Sequence, residues 1–234
     1  MDKIVFKQYG EMRTGTNYLG RLLYKNFSNI VMLGSILGWK HGMYQLVNGI
    51  DAPSANSHID WLEKKYDKEE GCVYSVDNYK IKYSYAELKE WSNNLNYIIS
   101  FKEPVSWIYS MKKFRFPKKD WNQVPVPKLL QRYKNNYEQW IKLDNYILID
   151  YFDLIDDNYK KNLIEYLMKE YNLIHKNDDI VDECNIVEAS TDLGYNITQK
   201  KNDDVLKFYK NKEYLNMVPL MIQQQIQTFI HDNR

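Results

Sequence analysis

The stretch from Gly10 to Asn17 has the residue types and spacing of a loop that binds phosphate. Gly10 and Gly15 stand five residues apart, the GxxxxG spacing of phosphate-binding loops, and Arg13 adds a positive charge between them. Glycines let the backbone approach an anion closely, and the free amides of a following helix point their positive dipole end toward it. The sequence therefore predicts a phosphate site here, with an ordinary βα turn as the alternative.

The two positions after Gly15 argue against a nucleoside triphosphatase. Such proteins have a Lys that reaches the β- and γ-phosphates, followed by a Ser or Thr that binds magnesium. This chain has Thr16 and Asn17 at those positions. The loop is therefore expected to hold a phosphate group without a metal ion and without handling a γ-phosphate.

The loop also resembles that of the P-loop-like sulfotransferases, which use 3′-phosphoadenosine-5′-phosphosulfate (PAPS). In that family the first strand leads into a basic residue, Ser or Thr, Gly, Thr or Ser, any residue, and an aromatic or apolar residue. Six consecutive residues match this pattern: Arg13, Thr14, Gly15, Thr16, Asn17 and Tyr18. The resemblance implies that these residues bind the co-substrate.

A second stretch carries the same resemblance. In the family an Arg at the end of a later strand and a Ser eight residues on bind the 3′-phosphate, and Lys102 and Ser110 have that separation. Lys in place of Arg keeps the charge but loses the bidentate fork, so 3′-phosphate recognition is expected to be weaker or differently shaped.

Residues 38–42 follow the second predicted strand, where many members of the family place a His or Glu general base beside a Lys. The resemblance implies that His41 deprotonates the acceptor while Lys40 and Arg13 stabilise charge around the transferring group. The ordinary imidazole pKa of about 6.5 suits such a base. Glu11, inside the loop, is the competing base, and loop packing is its alternative role.

The resemblance implies an enzyme that moves a sulfuryl group from PAPS to a hydroxyl acceptor, a small molecule or a glycan, without a metal. A basic and aromatic segment, residues 112–121, is the candidate acceptor surface, and a solvated charged loop is its alternative. Residues 150–154 and 208–215 resemble family segments more weakly. The alternative functions are a nucleotide or small-molecule kinase with a divergent loop and a catalytically idle nucleotide-binding module.

Strands and helices must position these residues, and hydrophobic periodicity predicts them. Alternation over 4–9, helical spacing to about 26–28 and a β-like run over 29–33 predict a βαβ unit and a parallel sheet. The further predicted elements are strands at 72–76, 97–101 and 147–149, and helices at 57–68, 84–91 (opened by a Ser84–Glu87 capping box), from 104, 128–143, 158–171 and 218–230. The pattern predicts one α/β domain over 1–234, and the resemblance implies a three-layer P-loop-like fold with a central parallel sheet flanked by helices.

Composition excludes several classes of function. Thirty-two Lys and Arg against 31 Asp and Glu give a net charge of +1, so no global charge favours nucleic acid. No apolar run approaches the ~20 residues of a bilayer span, and the N-terminus lacks a signal-peptide pattern, so a cytoplasmic protein without a membrane span is expected. Cys72 and Cys184 form no CxxC or Cys/His cluster, so neither a disulfide framework nor a metal site is expected.

Overall fold

The computed structural model of the chain describes residues 2–34, 36–38, 40–41, 72–76, 79–182 and 207–232. Its strands and helices, in chain order, are β1 (Ile4–Gly10), α1 (Thr16–Asn26), β2 (Ile30–Leu33), β3 (Cys72–Val76), β4 (Tyr79–Tyr83), α2 (Tyr85–Ser92), β5 (Asn96–Phe101), α3 (Pro104–Arg115), α4 (Val126–Trp140), β6 (Tyr146–Asp150), α5 (Tyr151–Leu154), α6 (Asp157–Tyr171) and α7 (Leu220–Asp232). Two short 3₁₀ helices lie at Trp121–Gln123 and Glu213–Met217. The predicted helix at 57–68 and Cys184 lie outside the described residues.

Within the described residues the main sheet has four strands in the order β2-β1-β5-β6, all parallel. The first connection, from β1 through α1, places β2 on one side of β1, whereas β5 pairs on the other side. The carboxyl ends of all four strands therefore meet at one edge, with a topological switch point at β1. Open α/β sheets bind ligands at such a point.

Helices cover both faces of the sheet because β1 alternates its apolar side chains. Phe6 packs with Leu19 of α1 and Leu163 of α6 on one face, and Val5 packs with Leu88 of α2 on the other face. The chain is thus an α/β protein with a parallel sheet between helices, in agreement with the predicted fold class at that level.

Two of the predicted helix starts are confirmed. Ser84 and Glu87 form the predicted capping box at the start of α2, with the Ser84 Oγ accepting from the Glu87 amide at 3.2 Å. Pro104 occupies the first turn of α3, and the Glu103 carboxylate caps that helix by accepting from the amides of Val105 and Ser106 at 2.9 and 2.8 Å.

The strand β3 falls where the sequence predicted it, and it does not join the main sheet in the described residues. It pairs antiparallel with β4, which the sequence analysis missed, as a separate two-stranded sheet. The alternation of Tyr, Lys and Ile over 79–83 is the signal that marks β4.

None of the helices in the described residues is long and apolar enough to cross a lipid bilayer.

Candidate functional site

A cavity of about 250 Å³ opens at the carboxyl edge of the sheet, beside the ends of β1 and β5. It is lined by side chains from the β1–α1 loop, α1, the loop after β2, α3, α5 and the C-terminal segment. The lining residues are Met12, Arg13, Gly15, Thr16, Asn17, Tyr18, Arg21, His41, Lys102, Ser110, Phe114, Tyr151, Ile155 and Tyr209. The structure thus brings most of the predicted site residues to one cavity.

The N-terminus of α1 faces this cavity. Gly15 is the residue before the first helical turn, and its φ of 81° lies in the left-handed region that glycine adopts without strain. No side chain caps the helix, and its first turn contains no acidic residue. The first amides of a helix have no partner within the helix, so this end presents N–H donors and positive dipole charge to the cavity.

A side chain at Gly15 would have no room. A Cβ atom built there would lie 2.7 Å from Cδ2 of Tyr151, and this side of the glycine faces α5. Gly15 is therefore required by its φ and by the packing of Tyr151.

Thr14 differs from the other predicted loop residues because it is fully buried and does not line the cavity. Its hydroxyl donates to the Glu11 carbonyl at 2.7 Å and lies 3.0 Å from the Ser100 hydroxyl on β5. Thr14 therefore holds the loop to the sheet, and its side chain offers no contact to a ligand in the cavity.

Arg13 lines the cavity with its guanidinium over the Phe114 ring, 5.1 Å from the ring centroid. Among the described residues no carboxylate pairs with Arg13. Arg13 thus contributes a positive charge to the cavity that is not neutralised by an ion pair there.

Lys102 and Ser110, which the family resemblance assigns to one 3′-phosphate, are in direct contact with each other. Lys102 follows β5, Ser110 lies on α3, and the Lys102 Nζ donates to the Ser110 Oγ at 2.9 Å. Lys102 is 2% exposed, and burial, reinforced by the Arg13 charge, holds the pKa of its amine well below the ordinary value. A buried cation beside a hydroxyl is suited to bind an anionic group that enters the cavity.

His41 lies at the cavity with one ring nitrogen fixed. Its Nδ1 lies 2.7 Å from the Gly10 carbonyl, which can only accept, so Nδ1 carries the hydrogen and Nε2 carries the lone pair. Burial and the neighbouring Lys40 charge lower the pKa of His41 to about 3. His41 is therefore neutral at physiological pH and a weaker base than its ordinary pKa predicted.

Lys40 does not line the cavity itself. Its Nζ donates to the Oδ1 of Asn17, which does line the cavity at the start of α1. The Lys40 carbonyl also accepts from the Gly10 amide at 3.0 Å. The loop that carries Lys40 and His41 is thus bonded to the phosphate loop through both side chains and backbone.

Glu11 occupies a structural position. Its fully buried carboxylate accepts from Nε and Nη2 of Arg132 at 3.1 and 2.9 Å and from the side-chain amide of Asn136. Burial raises the pKa of Glu11, against the opposing effect of the Arg132 charge. Glu11 does not line the cavity, so the geometry favours loop packing over the role of a base.

Two basic residues that the sequence analysis missed support the loops. Arg132 of α4 donates to the His41 carbonyl at 2.7 Å while it pairs with Glu11, so it joins the two site loops. Lys7 of β1, fully buried, donates to the carbonyls of Gly34 and Gly38 at 2.5 and 2.7 Å. Lys7 therefore fixes the turn that leads to His41.

The basic and aromatic segment 112–121 lies beside the cavity. Phe114 lines the cavity, whereas the ammonium groups of Lys112 and Lys119 lie over Trp121 and Phe116 at 5.9 and 5.4 Å from the ring centroids. Cations and rings of the segment therefore contact each other at the surface, next to the side of the cavity formed by Arg13.

Tyr151, Tyr209 and Arg21 also line the cavity and were not predicted as site residues. Tyr151 and Tyr209 belong to the two segments with the weaker family resemblance, 150–154 and 208–215. The sequence therefore indicated these segments, but it did not indicate which of their side chains line the cavity. Arg21 lies on α1, within two turns of Gly15, and adds a further positive charge.

In the part of the chain that the structure describes, no group of three or more His, Cys, Asp or Glu side chains is arranged to hold a metal ion. Comparisons of the chain with protein-family models, with curated proteins and with solved structures gave no match.

Proposed function

We propose that this protein is a PAPS-dependent sulfotransferase with a P-loop-like fold. The observation that carries the proposal is the meeting of two anion-binding features at one cavity: the open N-terminus of α1 and the Lys102–Ser110 pair, 2.9 Å apart. A nucleotide with phosphate at two positions of one ribose needs both features. PAPS supplies the sulfuryl group on its 5′-phosphate and a separate 3′-phosphate.

The residues present fit such a co-substrate. Gly15, Thr16 and Asn17 offer the helix N-terminus to a 5′-phosphate, with Arg13 as the nearby cation, and Lys102 and Ser110 would hold the 3′-phosphate. Thr16 and Asn17 stand where a triphosphatase has its Lys and magnesium ligand. A singly charged sulfuryl group does not require the metal that serves a γ-phosphate, so this departure agrees with the proposal.

His41 is the general base in this proposal. Its Nδ1–H tautomer puts the lone pair on Nε2, and its neutral state at physiological pH leaves that nitrogen unprotonated, as a base for an acceptor hydroxyl requires. A pKa of about 3 is low for a base, because catalysis is most efficient when the pKa lies near the working pH. Anionic charge in the cavity would raise the pKa of His41 by offsetting Lys40.

Lys40 and Arg13 are the cations of the transfer site. Lys40 is held at the first turn of α1 through Asn17, and Arg13 faces the cavity over Phe114. Cations in fixed positions stabilise charge that develops on the transferring group and on the leaving oxygen. The hydroxyl acceptor is a small molecule or glycan, for which Phe114 and the neighbouring 112–121 segment offer aromatic and basic contacts.

Calorimetric titration with adenosine 3′,5′-bisphosphate, AMP and ATP with magnesium tests this function without knowledge of the acceptor. The bisphosphate should bind at least tenfold more tightly than AMP, and Lys102→Ala should remove that preference while AMP affinity stays unchanged. Lys89→Ala, at an exposed position of α2, is the matched control and should change neither affinity.

Other outcomes identify the alternatives. Equal affinities for the bisphosphate and AMP refute the proposal, and tight binding of ATP that requires magnesium points to a kinase. Preference for the bisphosphate without sulfuryl transfer to any hydroxyl acceptor points to the idle module. Once an acceptor is found, turnover should survive complete removal of divalent metal by EDTA.

A further inference from the structure

Tyr209 places its side chain directly on the Lys102–Ser110 pair from a distant part of the sequence. Its hydroxyl accepts from the Lys102 Nζ at 2.6 Å and lies 3.2 Å from the Ser110 Oγ. Since Lys102 and Ser110 are 2.9 Å apart, the three polar atoms form a closed triangle. All three residues line the cavity.

The directions of these hydrogen bonds determine what the triangle offers to a ligand. A lysine ammonium only donates, so both hydroxyl oxygens act as acceptors toward Lys102, and one hydroxyl donates to the other across the 3.2 Å contact. A ligand oxygen that replaces this hydroxyl–hydroxyl contact can accept from either hydroxyl as well as from the ammonium. Two of the three ammonium hydrogens go to the hydroxyls, and the third remains for an oxygen of a ligand. The triangle therefore presents N–H and O–H donors together, which suits a phosphate monoester.

Aromatic rings fix the position of the lysine. The Lys102 Nζ lies 4.0 Å from the ring centroid of Tyr209 and 4.2 Å from that of Tyr151. The Tyr151 ring attracts this cation through its quadrupole, whereas Tyr209 contacts it with the hydroxyl end of its ring, and together the two contacts restrict the rotation and hydration of the ammonium. The Lys102 ammonium is thus held in one position, whereas an arginine would owe its fixed donor directions to its planar guanidinium.

We infer that Tyr209 is a third ligand of the 3′-phosphate, whose hydroxyl supplies the second donor that is lost where Lys102 replaces an arginine. The inference rests on the proposed function, because it names a determinant of nucleotide specificity at the same site. It predicts that the Tyr209 hydroxyl contributes to binding only when the ligand carries a 3′-phosphate.

The test is a comparison of two ligands on two variants. The dissociation constants of adenosine 3′,5′-bisphosphate and of AMP are measured by calorimetry for the wild type and for Tyr209→Phe, which keeps the aromatic ring and removes only the hydroxyl. Tyr209→Phe should weaken the bisphosphate about tenfold and leave AMP within twofold, since a hydrogen bond to a charged group of this kind is worth about one power of ten.

Tyr214→Phe is the matched control. Tyr214 is buried in the same C-terminal segment with its ring 5.7 Å from that of Tyr209, and it does not line the nucleotide cavity. Removal of the Tyr214 hydroxyl should leave the ratio of the dissociation constants of the bisphosphate and of AMP as in the wild type. Thermal unfolding of both variants shows whether the C-terminal segment remains packed.

The failure of the inference and the failure of the proposed function give different results. A wild-type protein without preference for the bisphosphate refutes the proposed function. A wild type with the preference and a Tyr209→Phe variant that retains it refute the role of Tyr209. Tighter bisphosphate binding in Tyr209→Phe also overturns the inference, because the hydroxyl would then compete with the phosphate for Lys102. Equal weakening of both ligands overturns it as well.

Discussion

Replacement of Glu11 by Gln is expected to destabilise the protein without acting on the chemical step. The Glu11 carboxylate is fully buried. Arg132 donates hydrogen bonds to both of its oxygens, at 3.1 and 2.9 Å, and Asn136 donates to one of them. Gln retains one acceptor oxygen, but its NH₂ group must replace the other. A donor would then face a donor of Arg132 or Asn136.

The magnitude follows from the contacts that change. One hydrogen bond to a charged group is lost, which costs about 1.5–3 kcal/mol. Two effects reduce this loss: the neutral amide avoids the burial penalty that raises the pKa of Glu11, and the Arg132 side chain, 34% exposed, is partly hydrated. The expected net loss is about 2 kcal/mol. For a chain of this size that corresponds to a fall in Tm of about 4–8 °C.

Thermal and chemical unfolding, followed by circular dichroism, measure this loss. Glu138→Gln is the matched control, because Glu138 is paired with Lys134 on the surface at 3.4 Å and its side chain is half exposed. That variant should unfold within a degree or two of the wild type, since exposed ion pairs contribute little. Nucleotide affinity should weaken modestly in Glu11→Gln, because Arg132 also bonds the His41 carbonyl.

The opposite pattern would refute the reasoning. If Glu11→Gln unfolds like the wild type and binds the bisphosphate normally, yet loses turnover completely, then Glu11 is the base and not a packing residue. Such a result would also require the loop to open in the bound state, since Glu11 does not line the cavity described above.

Two further variants test the loops themselves. His41→Gln should reduce turnover ~10²-fold or more with bisphosphate affinity within twofold. The same variant should remove a pH dependence of the free energy of unfolding. The pKa of His41 in the folded protein, about 3, lies below the ordinary 6.5, so the stabilisation by His41 is complete above pH 6.5 and is lost as the pH falls toward 3. Urea unfolding at several pH values should detect this slope in the wild type and not in the variant. Gly15→Ala should lower Tm by several degrees and weaken bisphosphate binding, because its φ is 81° and a Cβ would lie 2.7 Å from Tyr151; a variant with unchanged Tm would contradict this packing.

Local sequence patterns were sufficient to predict the framework of the sheet. The alternation around Phe6, the capping box at Ser84 and the proline at the start of α3 are short-range signals, and the structure confirms each. The sequence also indicated that Lys102 and Ser110 share a site, and they lie side by side because a strand end and the second turn of the next helix have a nearly fixed relation. The antiparallel strand β4 was missed although its alternation was present in the sequence.

The missed site residues depend on packing between distant elements. Arg132 reaches Glu11 across 121 positions, and Tyr209 reaches Lys102 across 107. No spacing rule relates such positions, since their contacts exist only after α4 and the C-terminal segment pack beside the sheet. The pKa of His41 was out of reach for the same reason, because burial and the position of Lys40 set it.

Gly10 links the two halves of the candidate site through its own peptide groups. Its amide donates to the Lys40 carbonyl at 3.0 Å, and its carbonyl accepts from the His41 Nδ1 at 2.7 Å. The backbone that opens the phosphate loop therefore also fixes which nitrogen of His41 bears the hydrogen. A Cβ at Gly10 would lie 2.4 Å from the Ser100 Oγ and 2.7 Å from the Ser100 carbonyl oxygen, so the strand end has no room for a side chain. In the proposed function, the binding of the anion and the orientation of the base would therefore both depend on this one strand end.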